Sequence, residues 1–118
     1  MFERNDEKVV RVEEVKTNVE EEKRNIAENL RDWSNNIDRQ IKAIDEKAGK
    51  ASKKTAASLH QLQDRLRKEK IKVDKSLKEI EKSGEKTWED VRKHSYDILT
   101  DAKIETQKIE ERVEDLID

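Results

Sequence analysis

Apolar residues recur along this chain at steps of three and four, and Lys, Arg, Glu or Asp fill nearly every position between them. From Leu59 to Ala102 the stripe reads Leu59, Leu62, Leu66, Val73, Leu77, Ile80, Trp88, Val91, Ile98 and Ala102. An α-helix brings positions three and four apart onto one face. The spacing therefore predicts helices that bury a narrow seam against other helices. Upstream the stripe reads Val12, Val15, Val19, Ile26, Leu30, Trp33, Ile37, Ile41, Ile44 and Ala48. Trp33, Ile44, Thr55, Leu66, Leu77, Trp88 and Leu99 lie eleven residues apart. That repeat corresponds to 3.67 residues per turn and predicts nearly straight or faintly right-handed helices.

Two glycines are the candidate interruptions, and the chain contains no proline. At the first, the segment KAGKASKKTAAS (47–58) offers only small residues to the seam. A continuous helix is favoured there. The stripe stays in phase across Gly49, and Lys53 and Lys54 would oppose the dipole of any helix starting at that point. Gly84 is the stronger break. Lys78 and Lys82 suit a helix C-terminus, Gly suits the position just past it, and Thr87-Trp88-Glu89-Asp90 matches a capping box. Asn5 is a candidate cap for the first helix.

The expected fold is thus all-α and a single domain over residues 1–118. It is either an elongated antiparallel helical hairpin or a three-helix coiled coil. In the first form a helix of about residues 7–82, interruptible at Gly49, precedes a second of about 87–117. A 76-residue helix would be about 115 Å long, and its stripe over 12–44 would overhang and call for a second copy of the chain. In the alternative the chain turns at both Gly49 and Gly84.

Composition narrows the function classes. Apolar residues make up 31% of the chain and charged residues 47%, enough for a seam but not for a broad globular core. Periodicity argues against the disorder that such polarity would otherwise suggest. Net charge is −2, but it is distributed in blocks: −4 over residues 1–46, +7 over 47–82 and −5 over 83–118. A basic middle between acidic ends favours antiparallel pairing, and at a few tenths of a kcal/mol per surface pair it selects register more than it stabilises. The near balance argues against nucleic acid as a partner. The basic run Arg65–Lys72 carries Asp64 and Glu69 with it and has no interleaved aromatics, so pairing with the chain's own acids is expected.

No residue set points to catalysis, a cofactor or a metal. Cysteine is absent, and the two histidines, His60 and His94, sit outside any ligand motif and read as surface residues. Carboxylates are plentiful, but catalytic carboxylates need a pocket that shifts their pKa. Glu20-Glu21-Glu22 reads as a solvated face. The N-terminal MFERNDEKVV is charged from its third residue, unlike a signal peptide, and no apolar run approaches a membrane span, so a cytoplasmic location is expected.

The stretch LKEIEKSGEKTWEDVRKHSYDILTDA, Leu77 to Ala102, resembles a family of bacterial coiled-coil proteins of uncharacterised function, cyanobacterial stress-induced members among them. The family's pattern is a Leu-rich helix, a Ser or Gly, then Ala-Trp-Glu-Asp-Leu. Members often repeat the Trp eleven residues on, where this chain has Leu99. The likeness extends from Asp32-Trp33 to Ala102, about two thirds of the chain. It implies a helical, non-enzymatic protein tied to stress and supplies no catalytic residues.

The candidate interaction seam is therefore Trp33, Ile37, Ile44, Leu59, Leu62, Leu66, Leu77, Ile80, Trp88, Val91 and Ile98. The leading function is a self-associating coiled-coil or structural protein, with a homo-oligomer as the expected partner. The alternative is a peripheral lipid-surface binder built from amphipathic helices. Sparse Phe, Trp and Leu on the apolar face weigh against it.

Overall fold

The computed structural model describes the backbone from Phe2 to Ile117 and the side chains from Val19 to Ile117. The chain forms three α-helices: α1 (Phe2–Gly49), α2 (Lys53–Lys82) and α3 (Trp88–Ile117), with no strand among the described residues. They pack side by side, α2 antiparallel to both neighbours. Asp38 meets Lys70 and Lys23 meets Ser83 between α1 and α2, while Arg65 meets Glu105 and Ser76 meets Ser95 between α2 and α3. The Asn5 cap and the stripe residues Val12 and Val15 lie outside the residues whose side chains are described. The helix itself begins at Phe2, ahead of the expected start.

The turn at Gly49 corrects the expectation of a continuous first helix. Lys50 and Ala51 donate to the carbonyls of Lys47 and Ala48, three residues back, which closes α1. Ser52 then adopts an extended conformation, φ −63° and ψ 161°, and its hydroxyl accepts from the Thr55 amide as the N-cap of α2. The dipole cost foreseen for Lys53 and Lys54 is real, but each exposed charge costs only about 0.3–1 kcal/mol. Reversal buries Leu59, Leu62, Leu66, Val73 and Ile80 in a shared core with Ile26, Leu30, Ile37 and Ile44. Each such side chain contributes about 1.5–3 kcal/mol, so burial outweighs the dipole term. The stripe over Ile26–Ile44 does not overhang, because α2 covers it.

The break at Gly84 is present, with different chemistry from the expected motif. Ser83, not a left-handed glycine, terminates α2 at φ −69° and ψ 135°, and neither glycine has positive φ. Its amide and its hydroxyl both donate to the Ile80 carbonyl. The Thr87 hydroxyl turns back to the amide and carbonyl of Gly84, so it is engaged in the turn rather than with the first-turn amides of α3. Glu89 and Asp90 suit the positive end of α3.

A methyl group at Gly49 would meet nothing within 4 Å, and the residue is the last of α1 with ordinary negative φ. Gly49→Ala is therefore expected to stabilise the bundle by about 0.5–1 kcal/mol, by restricting the unfolded chain and favouring the helix. Urea denaturation measures it. Destabilisation would mean that this turn needs conformations closed to alanine.

Buried positions repeat at seven, not eleven: Leu30, Ile37 and Ile44 on α1; Leu59, Leu66, Val73 and Ile80 on α2; Trp88, Ser95, Ala102 and Ile109 on α3. Of the eleven-spaced series, Trp33, Thr55, Leu77 and Leu99 are only half-buried. An eleven-residue series suits one long straight helix; three helices packed together select the heptad subset that faces both neighbours.

Candidate functional site

All eleven candidate seam residues lie in the core or against it. Ile37, Ile44, Leu59, Leu62, Leu66, Ile80 and Trp88 are buried, and Trp33, Leu77, Val91 and Ile98 are partly buried and packed against them. These residues join helices of one chain; they do not form an open face for a partner. Among the described residues the exposed large apolar side chains are Ile71 on α2 and Tyr96, Ile104 and Ile117 on α3.

Trp88 sits at the first position of α3 beside the α2–α3 turn. Lys23 of α1 binds both parts of that turn. Its ammonium donates to the Ser83 carbonyl at 3.1 Å and lies 5.3 Å from the centre of the Trp88 ring. The carbonyl is at the negative end of α2 and the ring face is electron-rich, so one cation satisfies both. This clasp of α1 on the turn was not legible in the sequence, where Lys23 is one lysine among many.

Among the described residues, four of the five cations in the basic run, all but Lys68, are paired within the chain. Arg65 pairs with Glu105 of α3, Lys70 with Asp38 of α1 at 2.8 Å, Lys72 with Asp101 of α3, and Arg67 with its neighbour Asp64. The hydrogen bond to Asp38 holds the Lys70 ammonium above its ordinary pKa, against a smaller opposing effect of burial. Glu22, in the acidic triplet, pairs with Arg92. His60 and His94 are exposed; His60 bonds Gln63 and His94 approaches Glu79 at 3.9 Å.

Polar residues in the core went unread in the sequence: Gln63, Glu69, Ser76, Ser95 and Thr106. Gln63 is satisfied, donating to the Ile41 carbonyl and to Asp45. Thr106 and Ser95 return their hydroxyls to carbonyls one turn back, Ala102 and Val91. Glu69 differs. It is 3% exposed, and its Oε1 has no hydrogen-bond partner. Burial pushes its carboxyl above the usual carboxylate range, and the neighbouring Asp101 adds to the rise, while Lys72 opposes it. A signal was available: Leu59, Leu62, Leu66, Glu69, Val73, Ser76 and Ile80 alternate steps of three and four, so Glu69 and Ser76 occupy core slots.

Among the described residues no group of three or more His, Cys, Asp or Glu is placed to hold a metal ion, and no helix is long and apolar enough to cross a membrane. An open cleft at the α1–α2 end is lined by Lys47, Lys50, Ser52, Thr55, Leu116 and Ile117, whose polar members are surface side chains. Comparison with protein-family models, with curated proteins and with solved structures gave no match.

Proposed function

We propose that the protein is a non-enzymatic helical interaction module that associates with its own copies through the N-terminal part of α1. The observation that carries this reading is the length of α1: it has 48 residues where α2 and α3 have 30 each. The contact of Lys23 with Ser83 marks where α2 ends alongside α1. The helix continues past that level, and with it runs the stripe of Val12 and Val15. A second α1 offers the same 3–4 apolar pattern, which suits a self-complementary helix pair. The resemblance of the Leu77–Ala102 stretch to coiled-coil proteins with stress-induced members supports a role in stress protection.

Sedimentation of the full chain over a hundredfold dilution tests the reading. A mass above one chain at the concentrated end is expected, with a melting temperature that rises with concentration. Val12→Glu combined with Val15→Glu should return the protein to one chain, with circular dichroism as the check that the helices are kept. A strict monomer with unchanged melting overturns the proposal.

Peripheral lipid binding is the second reading. It is favoured by the partly polar seam between α2 and α3, which would let α3 swing away and present its apolar face. It ranks second because the strongest apolar residues, Ile26, Leu30, Ile37, Leu59 and Leu66, are closed between α1 and α2.

A further inference from the structure

The two seams of the bundle differ in chemistry. Between α1 and α2 the fully buried side chains are branched aliphatics and one amide, Gln63, which is hydrogen-bonded to Ile41 and Asp45. Between α2 and α3 the fastening includes a serine pair, Ser76 donating to Ser95 at 3.2 Å, and the buried Glu69. Among the described core residues Glu69 is the one that carries a charge.

Its surroundings hold two carboxylates and two cations at close quarters. On its own helix, Lys72 stands 3.8 Å from Oε2 and is shared with Asp101 at 3.7 Å. From α3, Asp101 and Glu105 face it, and Glu105 is held by Arg65. From α1, Asp38 is engaged by Lys70. The remaining oxygen of Glu69 is buried without a partner. An ionised carboxylate in that place lacks water, lacks one hydrogen bond and lies beside like charges. A protonated one is a donor, and the Asp101 carboxylate is the acceptor beside it.

We propose that Glu69 is the titrating element of a pH-sensitive latch, such that α3 is held more tightly against α2 when the Glu69 carboxyl carries a proton than when it is ionised. The proton comes from solvent and resides on Glu69. No other bond changes.

The direction of the pH dependence follows from linkage. In the unfolded chain Glu69 ionises near the ordinary value of 4.5; in the bundle it does so at a higher pH, chiefly because it is buried. Between those two values the bundle holds a proton that the unfolded or undocked chain has released. The stabilisation is complete below 4.5 and is lost as pH rises through the bundle's value.

Amide hydrogen exchange of the full chain at pH 5 and pH 7.5, corrected for the intrinsic effect of pH on exchange, reads this directly. Protection of α3 should be severalfold greater at pH 5 than at pH 7.5. Protection around Leu30–Ile44 of α1 should change less. Glu69→Gln, neutral at every pH and able to donate to Asp101, should show the high protection at both pH values. Glu69→Leu, which places an aliphatic residue in the same slot, should likewise be insensitive to pH. Circular dichroism confirms that each variant keeps its helices. Equal wild-type protection at both pH values overturns the latch. So does a Glu69→Gln protein that keeps the wild-type pH dependence, since the titrating group would then lie elsewhere.

Discussion

Trp88→Ala is expected to release α3 while leaving the α1–α2 hairpin folded. The ring is 5% exposed at the first turn of α3, and Lys23 lies over it while holding the Ser83 carbonyl. Truncating a buried Trp costs about 3–5 kcal/mol. That is a large share of the 5–15 kcal/mol typical of a whole domain. The loss falls on one seam, because α3 docks through Ala102, Ser95, Thr106, Ile109 and Val113, which are small, polar or few. The α1–α2 seam retains Leu30, Ile37, Leu59 and Leu66, each fully buried. Hydrogen exchange should show lost protection confined to about residues 87–117. Intact protection in α3 would mean that the turn and the ring do not fix its docking.

Leu66→Ala should have the opposite signature, a loss of all three helices together. Leu66 is fully buried midway along α2, the helix that packs against both α1 and α3. It lies between the level of the Asp38–Lys70 pair and that of Gln63 with Ile41 and Asp45. Leu→Ala in a well-packed core costs about 2–5 kcal/mol, the upper part applying where the surroundings cannot collapse into the space. The helices here are stiff rods with facing side chains in place, so the cavity should persist. Urea unfolding should remain a single transition with a lowered midpoint, and exchange protection should fall across α1, α2 and α3 alike. Loss confined to α3 would show that α2 does not couple the two seams.

The two variants also mark which features were legible before the fold was known. Trp88 and the break beside it were, because a Lys-rich helix end, a glycine and an acidic helix start fall together between Lys78 and Asp90. Pairing of the basic run with the acidic ends was also legible, since a middle of net +7 lies between segments of net −4 and −5. The turn at residues 50–52 was not. The phase of the stripe across Gly49 argued for one helix, but a turn can set the next helix at any phase, so continuity of phase says nothing about continuity of the helix. Glu69 went unnoticed for a related reason. A charged residue in an apolar slot looks like a gap in the stripe, and only a neighbour that covers it reveals a buried carboxylate.

By itself, then, the sequence determined the helical content, the apolar face of each segment, the break near Gly84 and the complementarity of the charge blocks. These are local properties, set by periods of three and four, by capping residues and by the order of charges along the chain. Tertiary structure decided the reversal after Gly49, the covering of Ile26–Ile44 by α2, the heptad subset that is buried, the Lys23 clasp and the desolvation of Glu69. Each of these depends on which residue, often thirty or more positions away, lies opposite. That choice is made by the total apolar area the helices can bury together, a sum no local window contains.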